Sequence, residues 1–457
     1  MTGRGTAVQG EKRVIPNSSR LFPMDIRRAK GPESLVNPGF QAVIHLSPAP
    51  TNTTKIYILL LLRRKGGRRA VPGVGAEGTG LLQSNHKGDD EMHFRVQTDE
   101  INYSLGMVTR AIAARPIKQV YDGVLIETTD DALVLTCTDG EISIKAKVNA
   151  IVEEDGCALL PAKLFAEMMR KQPAGEVDVR IDDRMRALIR SRGSNTSMAC
   201  MAAEDFPDIR DVMGENVVNL PCKRLRDAIS RVLFAVSTDE SRKILTGILM
   251  EVHPSETLMV GLDGFRLALQ RIEAENQLPA SAPKGQISAV VPGRILGEVS
   301  KMLPDSDDMA QIVFNSSHVM YSFGPVRVYA TLLTGEFIDY QKILPTTWTT
   351  EVMVMRSQFS DSIDRCSLMA REGKNNLIYL HLQPTGVMEM TANAERGDVH
   401  EELDIGFEGN ALNIAFNSRY LTDIIHNIDG ERIRMCFNSN VSPCMILPIE
   451  GNEFTFL

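Results

Sequence analysis

The sequence predicts an α+β protein made of three similar domains, each with two helices backed by antiparallel sheets. The chain has 457 residues, enough for about three domains of ordinary size. Three long segments repeat one order of features, which is a helix, strands, a second helix and further strands. Hydrophobic residues make up 43% and charged residues 24%, so the composition excludes collagen-like and polytopic membrane proteins.

Residues 1–91 differ from the rest of the chain in charge and in texture. They carry a net charge of +7, whereas residues 92–457 carry −15. Gly, Pro and Arg dominate the first part without a sustained period, and a periodic pattern begins at Met92. We therefore expect residues 1–91 to be a disordered or non-native leader, placed before the folded protein.

Two features of this leader look like functional motifs but lack the necessary context. The apolar run at residues 56–62 is too short to span a bilayer, which takes about 20 residues. A GxGxxG pattern at Gly73, Gly75 and Gly78 lacks the preceding strand and following helix that nucleotide binding requires. An enzyme that uses the leader as a nucleotide site is therefore the weakest of the functional hypotheses.

Each repeat opens with a helix, a strand and a hairpin. The helices are predicted within residues 101–112, 225–236 and 359–370, and an apolar strand follows each of them. Asx residues favour tight turns because their side chains bond nearby backbone N–H groups. The hairpin turns are predicted at Asp139, Asp263 and Asn393.

The second helix of each repeat follows a short apolar strand. It is predicted to start at Pro161, Pro292 or Asn417, and proline suits a helix start because no backbone donor is needed there. Alternating strands follow each of these helices. The predicted domains are residues 92–215, 216–347 and 348–457.

One face of the second helices repeats a basic, acidic, basic order at helical spacing. Apolar residues between these positions, among them Leu164 and Phe165, are expected to face the core. The first helix of each repeat adds a cation, which we expect at matching places. The cations of the six helices include Arg110, Lys163, Arg170, Arg231, Arg294, Lys301, Arg365 and Arg419.

On a single helix this charge pattern is typical of a solvent-exposed face with ion pairs worth about 0.3–0.5 kcal/mol each. Three equivalent helices side by side would instead form one basic surface on an otherwise acidic molecule. Such a surface suits a sugar-phosphate backbone, which it would bind without reading sequence and with a strong dependence on salt. The periodicity alone thus predicts a repeat scaffold with one basic surface.

The sequence contains no pattern typical of catalysis or of metal binding. It lacks GxSxG, GxxxxGKS/T and HExxH motifs, and its eight His are scattered. The seven Cys include no CxxC pair, so we expect reduced thiols in a cytoplasmic protein, with neither a metal nor a cofactor. We therefore do not expect an enzyme.

Seven further segments carry a resemblance to a known family. They are TCTDGEISI, LLPAKLFAEM, EDFPDI, SRKILTGILMEV, LDGFRLAL, VVPGRILGEVSKML and GEFIDYQKILP. In this order, from Met92 almost to Leu457, the chain resembles the beta subunit of bacterial DNA polymerase III, the DNA sliding clamp. The resemblance implies three clamp domains in a head-to-tail dimeric ring whose helices line the hole. It also implies a processivity factor, which is a non-catalytic accessory subunit of a DNA-directed DNA polymerase.

The resemblance also implies a set of partners. These are double-stranded DNA, bound without sequence preference, the replicative polymerase, the clamp loader and a second copy of the chain. The implied location is cytoplasmic, with no membrane partner. The alternative is a divergent paralogue or repeat scaffold that binds protein or a small ligand without encircling DNA.

Site residues are implied where positions match the family. DNA contacts carried over are Arg115, Arg170, Lys243 and Arg294, and the other helix cations extend the DNA-binding set to Arg110, Lys163, Lys171, Arg231, Lys301, Arg365 and Arg419. The implied partner groove, between the second and third domains, comprises Arg242, Leu245, Leu262, Gly264, Phe265, Leu267, Ile338, Lys342, Ile343, Pro443 and Met445. The implied dimer interface joins an edge strand near Thr196 and Met198 to a helix end near Leu368 and Met369.

Two features depart from the family pattern. Phe265 and Ile338 stand where many members have His and Pro, so we expect a more apolar groove with a different peptide preference. The chain ends at FTFL, whereas the family usually continues with an apolar-Pro-apolar-Arg tail that completes the groove. We therefore expect a third domain truncated at its C-terminus and a weaker hold on partners.

Overall fold

The computed structural model describes residues 91–214, 216–276, 278, 285–373, 375–450 and 454–457. The predicted leader, with its apolar run and its glycine pattern, lies outside the described residues except for Glu91. In the described part of the chain, no helix is both long and apolar enough to cross a membrane.

Each of the three repeats forms two α-helices and eight or nine strands. The first repeat contains β1 (Met92–Gln97), α1 (Thr98–Val108), β2 (Gly123–Thr129), β3 (Ala132–Thr138), β4 (Ile142–Asn149), β5 (Ile151–Glu154), β6 (Cys157–Pro161), α2 (Ala162–Arg170), β7 (Glu176–Asp182), β8 (Arg186–Ser191) and β9 (Ser194–Ala199). The second contains β10 (Asn216–Pro221), α3 (Cys222–Leu233), β11 (Gly247–Val252), β12 (Glu256–Leu262), β13 (Leu267–Glu273), β14 (Ile287–Pro292), α4 (Gly293–Met302), β15 (Met309–Phe314), β16 (His318–Phe323) and β17 (Val326–Thr331). The third contains β18 (Thr350–Met355), α5 (Arg356–Glu372), β19 (Leu377–Leu382), β20 (Val387–Ala394), β21 (Gly397–Gly409), β22 (Leu412–Asn417), α6 (Ser418–Asn427), β23 (Arg432–Phe437), β24 (Met445–Pro448) and β25 (Phe454–Phe456).

Each second helix begins directly after a strand, as predicted. Pro161 and Pro292 occupy the position before the first helical residue of α2 and α4. Asn417 caps α6, where its side chain accepts the backbone N–H of Arg419 at 3.0 Å. Proline suits this position because its restricted φ is compatible with the extended backbone that precedes the helix.

The first two hairpins turn where the sequence predicts. Asp139 Oδ1 accepts the backbone N–H of Glu141 at 2.9 Å, and Asp263 Oδ1 accepts that of Phe265 at 2.8 Å. Gly264 has a φ of +96°, a backbone conformation that residues with side chains rarely adopt. The position after Asp263 therefore favours glycine.

The third predicted turn was wrong by one residue, because Ala394 takes the place that Asp139 has in the first hairpin. Asn393 lies inside β20, directly opposite Asp398 of β21. The chain reverses between Ala394 and Gly397 instead. The paired strands therefore continue one residue beyond Asn393, to the pair of Ala394 and Gly397.

The sheets continue from one domain into the next. The described strands form a five-stranded sheet β5-β1-β7-β8-β9, an eight-stranded sheet β10-β15-β16-β17-β4-β3-β2-β6 and a twelve-stranded sheet β14-β11-β12-β13-β25-β24-β23-β18-β21-β20-β19-β22. Strand β17 pairs with β4, with Ala330 opposite Ile142, and thereby joins the second repeat to the first. Strand β25 pairs with β13, with Phe456 opposite Ala268, and joins the third repeat to the second.

The six helices α1–α6, here called the helix layer, pack against these sheets. The two helices of each repeat contact each other, and α1, α3 and α5 lie on the hairpin strands of their own repeats. Phe165, Leu296 and Leu421 are buried beneath the second helices, as their spacing predicts. Leu164 was predicted to face the core but is 51% exposed, because its neighbour Phe165 takes the core-facing position of α2.

The segment between the first two repeats lies across the eight-stranded sheet. Val212 packs against Val313 and Tyr329. Asp211 accepts hydrogen bonds from the Tyr329 hydroxyl at 2.5 Å and from Arg327 at 3.0 Å. The hydrogen bond from Tyr329 holds the pKa of Asp211 below its ordinary value. These contacts fix the linker to β17, the strand that joins the two repeats.

We predict that Tyr329→Phe lowers the melting temperature by about 2 °C near neutral pH, because it removes a hydrogen bond worth about 1 kcal/mol. The folded pKa of Asp211 lies below its ordinary value. The contribution is therefore present above about pH 4 and is lost as the pH falls through the folded pKa. Melting curves of both proteins across the acid range should show the difference shrinking as the pH falls.

Tyr379→Phe is the matched control for this prediction. Tyr379 is 40% exposed on β19, and its hydroxyl has no hydrogen-bond partner among the described residues. A melting difference that does not depend on pH, or one that Tyr379→Phe reproduces, would contradict the assigned role of Asp211.

Candidate nucleic-acid interface and partner groove

Three of the predicted DNA-binding cations bridge neighbouring repeats. Arg110, after α1, lies 3.2 Å from Glu298 of α4. Arg231 of α3 pairs with Asp429, which follows α6. These ion pairs connect helices of different repeats, so the helix layer is continuous across both junctions.

Arg294 makes the third bridge and reaches back to the first hairpin. Its guanidinium lies 2.9 Å from Asp139 and 2.9 Å from Glu141. Two carboxylates thus hold one arginine at the start of α4. A phosphate that contacted Arg294 would share it with both of them.

Three other predicted cations have partners within their own repeat. The hydrogen bonds from Arg365 to Glu401 hold the pKa of Glu401 below its ordinary value. The pairs are Lys163 with Asp122 at 3.9 Å, Lys301 with Glu298 at 2.7 Å and Arg365 with Glu401 at 2.8 Å.

The remaining five predicted cations are exposed and have no ion-pair partner in the part of the chain that the structure describes. They are free to contact a phosphate without first breaking an ion pair. These five residues are Arg115, Arg170, Lys171, Lys243 and Arg419.

Arg110 does not occupy the place that Arg231 and Arg365 share. Arg231 and Arg365 lie within α3 and α5, at the same distance from the residue that precedes each helix. Arg110 lies about one turn further along, in the 3-10 turn Thr109–Ala111, because α1 ends at Val108. The expectation of matching places was therefore wrong for Arg110.

A cavity of about 640 Å³ opens between the second and third repeats and is here called the partner groove. Its walls come from the β12–β13 hairpin, the segment before β18, strand β22, helix α6 and the loop between β23 and β24. Eight of the residues predicted for this groove line it: Arg242, Leu262, Gly264, Phe265, Leu267, Ile338, Ile343 and Pro443.

The other three predicted groove residues do not line the cavity. Leu245 is 1% exposed and packs in the apolar cluster under the hairpin. Met445 is also buried. Lys342 is exposed, and its ammonium pairs with Asp339 at 2.7 Å.

Apart from Pro443, the third-domain wall of the partner groove was not predicted from the sequence. The interpretation of α6 considered its charged face, whereas Tyr420 and Ile424 from its apolar stripe line the cavity. The apolar stripe of α6 is wider than its packing against the core requires, and this width was the signal that could have revealed the groove wall. The residues missed are Arg266, Ile414, Ala415, Phe416, Tyr420, Leu421, Ile424, Asn440, Val441, Ser442, Cys444, Ile446 and Leu457.

Arg266 connects the two sides of the partner groove. Its side chain is only 13% exposed, lies 3.1 Å from Asp263 and pairs with Asp423 of α6. It also donates to the backbone oxygen of Phe234 at 2.7 Å. Its guanidinium lies 4.7 Å from the centre of the Tyr420 ring, close enough for a cation–π contact. One arginine thus joins the second hairpin, the end of α3 and the third repeat.

Phe265 forms an exposed rim of the partner groove. Its side chain is 78% exposed, although its ring stacks on Tyr420 with centroids 6.2 Å apart and an interplanar angle of 27°. An exposed aromatic ring beside an apolar cavity offers contact area to an apolar ligand.

The predicted dimer residues lie near free sheet edges. Thr196 and Met198 belong to β9, the last strand of the five-stranded sheet. Leu368 on α5 is 66% exposed, and Met369 is partly buried against the core. Residues 397–404 of β21 pair only with β20 within the described residues, so they form a second free edge. Such edges present unpaired backbone groups that can bind another strand.

Comparison with known families agrees with this architecture. Three models match successive parts of the chain: the N-terminal domain of the DNA polymerase III beta subunit at residues 92–210, its central domain at 219–339 and its C-terminal domain at 341–457. The chain belongs to the DNA polymerase III beta subunit family. The "Beta sliding clamp" of Bacillus subtilis is 31% identical to this family member over 365 residues, which cover 78% of this chain and 95% of the relative.

Solved structures of the beta subunit family have the same fold. The DNA polymerase sliding clamp from Bacillus subtilis is 30% identical, with a TM-score of 0.76. A putative DNA polymerase III beta subunit from Eubacterium rectale is 26% identical, also with a TM-score of 0.76. Each comparison covers 80% of this chain and 98% of the other chain. The predicted fold of three clamp domains with helices and antiparallel sheets is confirmed.

We predict that Arg266→Met destabilises this beta subunit by about 2–3 kcal/mol, because it removes the ion pairs to Asp263 and Asp423 and the hydrogen bond to the Phe234 carbonyl. Arg266→Lys should recover only part of the loss, since an ammonium cannot reproduce the planar fork of donors. Urea unfolding followed by circular dichroism measures both effects.

Arg210→Ala is the control for the Arg266 variants. Its side chain is 86% exposed and pairs with Asp208 on the linker, so the expected loss is below about 1 kcal/mol. If Arg266→Met unfolds at the same urea concentration as this control, Arg266 does not hold the second junction together.

Proposed function

We propose that this protein is a DNA sliding clamp that encircles duplex DNA as a head-to-tail dimer. The main support for this proposal is the main-chain pairing at both junctions within the chain. Strand β17 pairs with β4, and strand β25 pairs with β13. Strand β9 and residues 397–404 of β21 each present an edge that is unpaired within the described residues. A second copy that covers both edges would close a ring of six domains and leave neither of them open. The proposed domains are residues 92–215, 216–347 and 348–457.

The charges support a hold on DNA that is weak and independent of sequence. Five exposed cations without ion-pair partners among the described residues lie in or near the helix layer, whereas residues 92–457 together carry a net charge of −15. Acidic outer surfaces repel DNA, and cations in the hole attract its phosphates without reading bases. Retention in such a ring is topological, so weak contacts suffice and allow sliding.

The partner groove supports a second part of the proposal, which is that the clamp binds other replication proteins. An apolar cavity rimmed by an exposed aromatic ring suits a short apolar peptide. We propose that such a peptide belongs to the replicative polymerase and, in turn, to the clamp loader. The protein would then act as a non-catalytic processivity factor on chromosomal DNA in the cytoplasm.

We predict that the protein, loaded by a clamp loader with ATP, stays on nicked circular DNA during gel filtration and leaves the same DNA after it is linearised. The reason is that a closed ring can escape only over a free end. Light scattering at micromolar concentration should give the mass of a dimer. A monomer, or equal retention on linear DNA, would favour the alternative of a scaffold that does not encircle DNA.

Two variants separate the DNA contacts from the ring itself. Replacing Arg170 and Lys171 together by Ala should reduce DNA-dependent loading about several-fold while leaving the dimer mass unchanged, since two phosphate contacts are lost. Arg210→Ala, which changes a cation on the linker, should alter neither. Unchanged loading in the double variant would show that α2 does not face the DNA.

We predict that Phe265→Ala weakens binding of a fluorescent apolar peptide from the end of the replicative polymerase by about tenfold. The substitution removes the aromatic rim of the partner groove and the ring that stacks on Tyr420. Fluorescence anisotropy measures the dissociation constant. Met309→Ala is the control, because Met309 is a 53% exposed apolar side chain that is absent from the lining of the groove. Equal dissociation constants for the wild type and Phe265→Ala would contradict the assigned site.

A further inference from the structure

One carboxylate of the helix layer is bound by two of the predicted DNA-binding cations at once. We infer that Glu298 of α4 acts as a counter-charge to DNA, which withholds Arg110 and Lys301 from the phosphates and loosens the hold on the duplex where the first two repeats meet. This inference rests on the proposed function. It adds to that function a residue that makes no DNA contact itself but sets how tightly the clamp holds DNA.

Both oxygens of the Glu298 carboxylate are occupied. Oε2 lies 3.2 Å from Nη1 of Arg110 in the first repeat, and Oε1 lies 2.7 Å from Nζ of Lys301, about one turn along α4. The Glu298 side chain is only 23% exposed, and partly buried ion pairs are screened by salt less than exposed ones. A phosphate that approaches either cation would therefore have to displace this carboxylate.

Glu298 is ionised at neutral pH. Burial tends to raise the pKa of Glu298, but hydrogen bonds from Lys301 and Arg110 outweigh burial and hold this pKa below its ordinary value. The carboxylate thus keeps its negative charge under the conditions in which the clamp would bind DNA.

The equivalent carboxylates of the other two second helices leave their cations available. On α2, Glu167 has no ion-pair partner within the described residues, and neither has Arg170, which follows it by about one turn. On α6, Asp423 pairs with Arg266 beneath the partner groove and not with a cation of the helix layer. Of these three residues, Glu298 is therefore the one that neutralises predicted DNA-binding cations.

Glu298 and Lys301 line a cavity of about 890 Å³ at the junction of the first two repeats. Arg294 lines the same cavity and is also held by carboxylates, those of the first hairpin. A fourth lining residue, Lys243, has no ion-pair partner in the described part of the chain. Removing the charge of Glu298 would thus release cations beside a predicted DNA contact that is already available.

The inference is tested with Glu298→Gln in the full chain. Glutamine keeps the shape of the side chain and removes its charge, so melting curves should show a folded protein. Fluorescence anisotropy measures the dissociation constant for a labelled duplex, which can enter the ring over its ends, between about 50 and 200 mM salt. At the lower salt concentration we expect binding about threefold to tenfold tighter than that of the wild type, because two cations gain access to phosphates.

The dependence on salt distinguishes new phosphate contacts from a structural effect. Each phosphate neutralised on duplex DNA adds about 0.9 to the steepness of the plot of log K against log salt concentration. The plot for Glu298→Gln should therefore be steeper than that of the wild type by at least about one. A residue that only supported the fold would leave this slope unchanged.

Asp208→Asn is the matched control. It also removes one carboxylate charge and frees one arginine, because Asp208 pairs with Arg210 at 2.9 Å on the linker. The linker lies outside the helix layer, so this variant should bind the duplex with the dissociation constant and the slope of the wild type. A Glu298→Gln variant that behaves like this control would overturn the inference.

A double-mutant cycle identifies the cation that is released. Lys301→Ala alone should change the dissociation constant by less than about twofold, because its charge is already balanced. Arg170→Ala, at the equivalent place of α2, should weaken binding about threefold. In the Glu298→Gln background, Lys301→Ala should cancel a large part of the gain in affinity. If Lys301→Ala weakens the wild type as much as Arg170→Ala does, Lys301 is not withheld from DNA and the inference fails.

Failure of the proposed function would give a different result. A wild-type protein that is monomeric by light scattering, or that stays equally on circular and linear DNA, would overturn the ring together with the inference that rests on it. A clamp that is retained on circular DNA while Glu298→Gln shows neither tighter binding nor a steeper slope would overturn the counter-charge alone.

Discussion

Hydrogen bonds between the main chains of neighbouring repeats are the constraint on which the rest of this structure depends. Strand β17 completes the sheet of the first repeat, and the short strand β25 continues the sheet of the second. These ladders leave little freedom in how one repeat follows another, because their register determines which side chains are buried. The position of the helix layer, the location of the partner groove and the free edges at β9 and at residues 397–404 of β21 all follow from them.

The cations in and near the helix layer fall into two groups. Arg110, Arg231 and Arg294 form ion pairs across the junctions, so part of their charge is already balanced by carboxylates. The five exposed cations without such partners among the described residues leave their charge available to a ligand. Cations that look alike in the sequence thus include contacts that hold the repeats together and contacts suited to a polyanion.

The partner groove forms where the second and third repeats meet. The second repeat contributes the β12–β13 hairpin, and the third contributes β22, α6 and the loop before β24. Arg266 holds these parts together from beneath, while Phe265 remains exposed at the rim. Adjacent residues of one hairpin therefore have different roles, since Arg266 fixes the junction and Phe265 stays exposed beside the cavity.

Much of this architecture could be predicted from the residues alone. The threefold order of helices and strands, the starts of the second helices at Pro161 and Pro292, and the first two Asx turns are written in local patterns of period and capping. Eight of the groove residues were reached through the family resemblance, because their motifs could be matched position by position.

The tertiary structure alone decided which residues of neighbouring repeats meet. The side of α6 that lines the groove, the triple role of Arg266, the exposure of Leu164 and the pairing of Arg294 with Asp139 all depend on contacts between residues far apart in the chain. Local periodicity tells which face of a helix is apolar or charged. It carries no information about which repeat covers that face, because the relative placement of repeats is set by sheet pairing over long sequence separations.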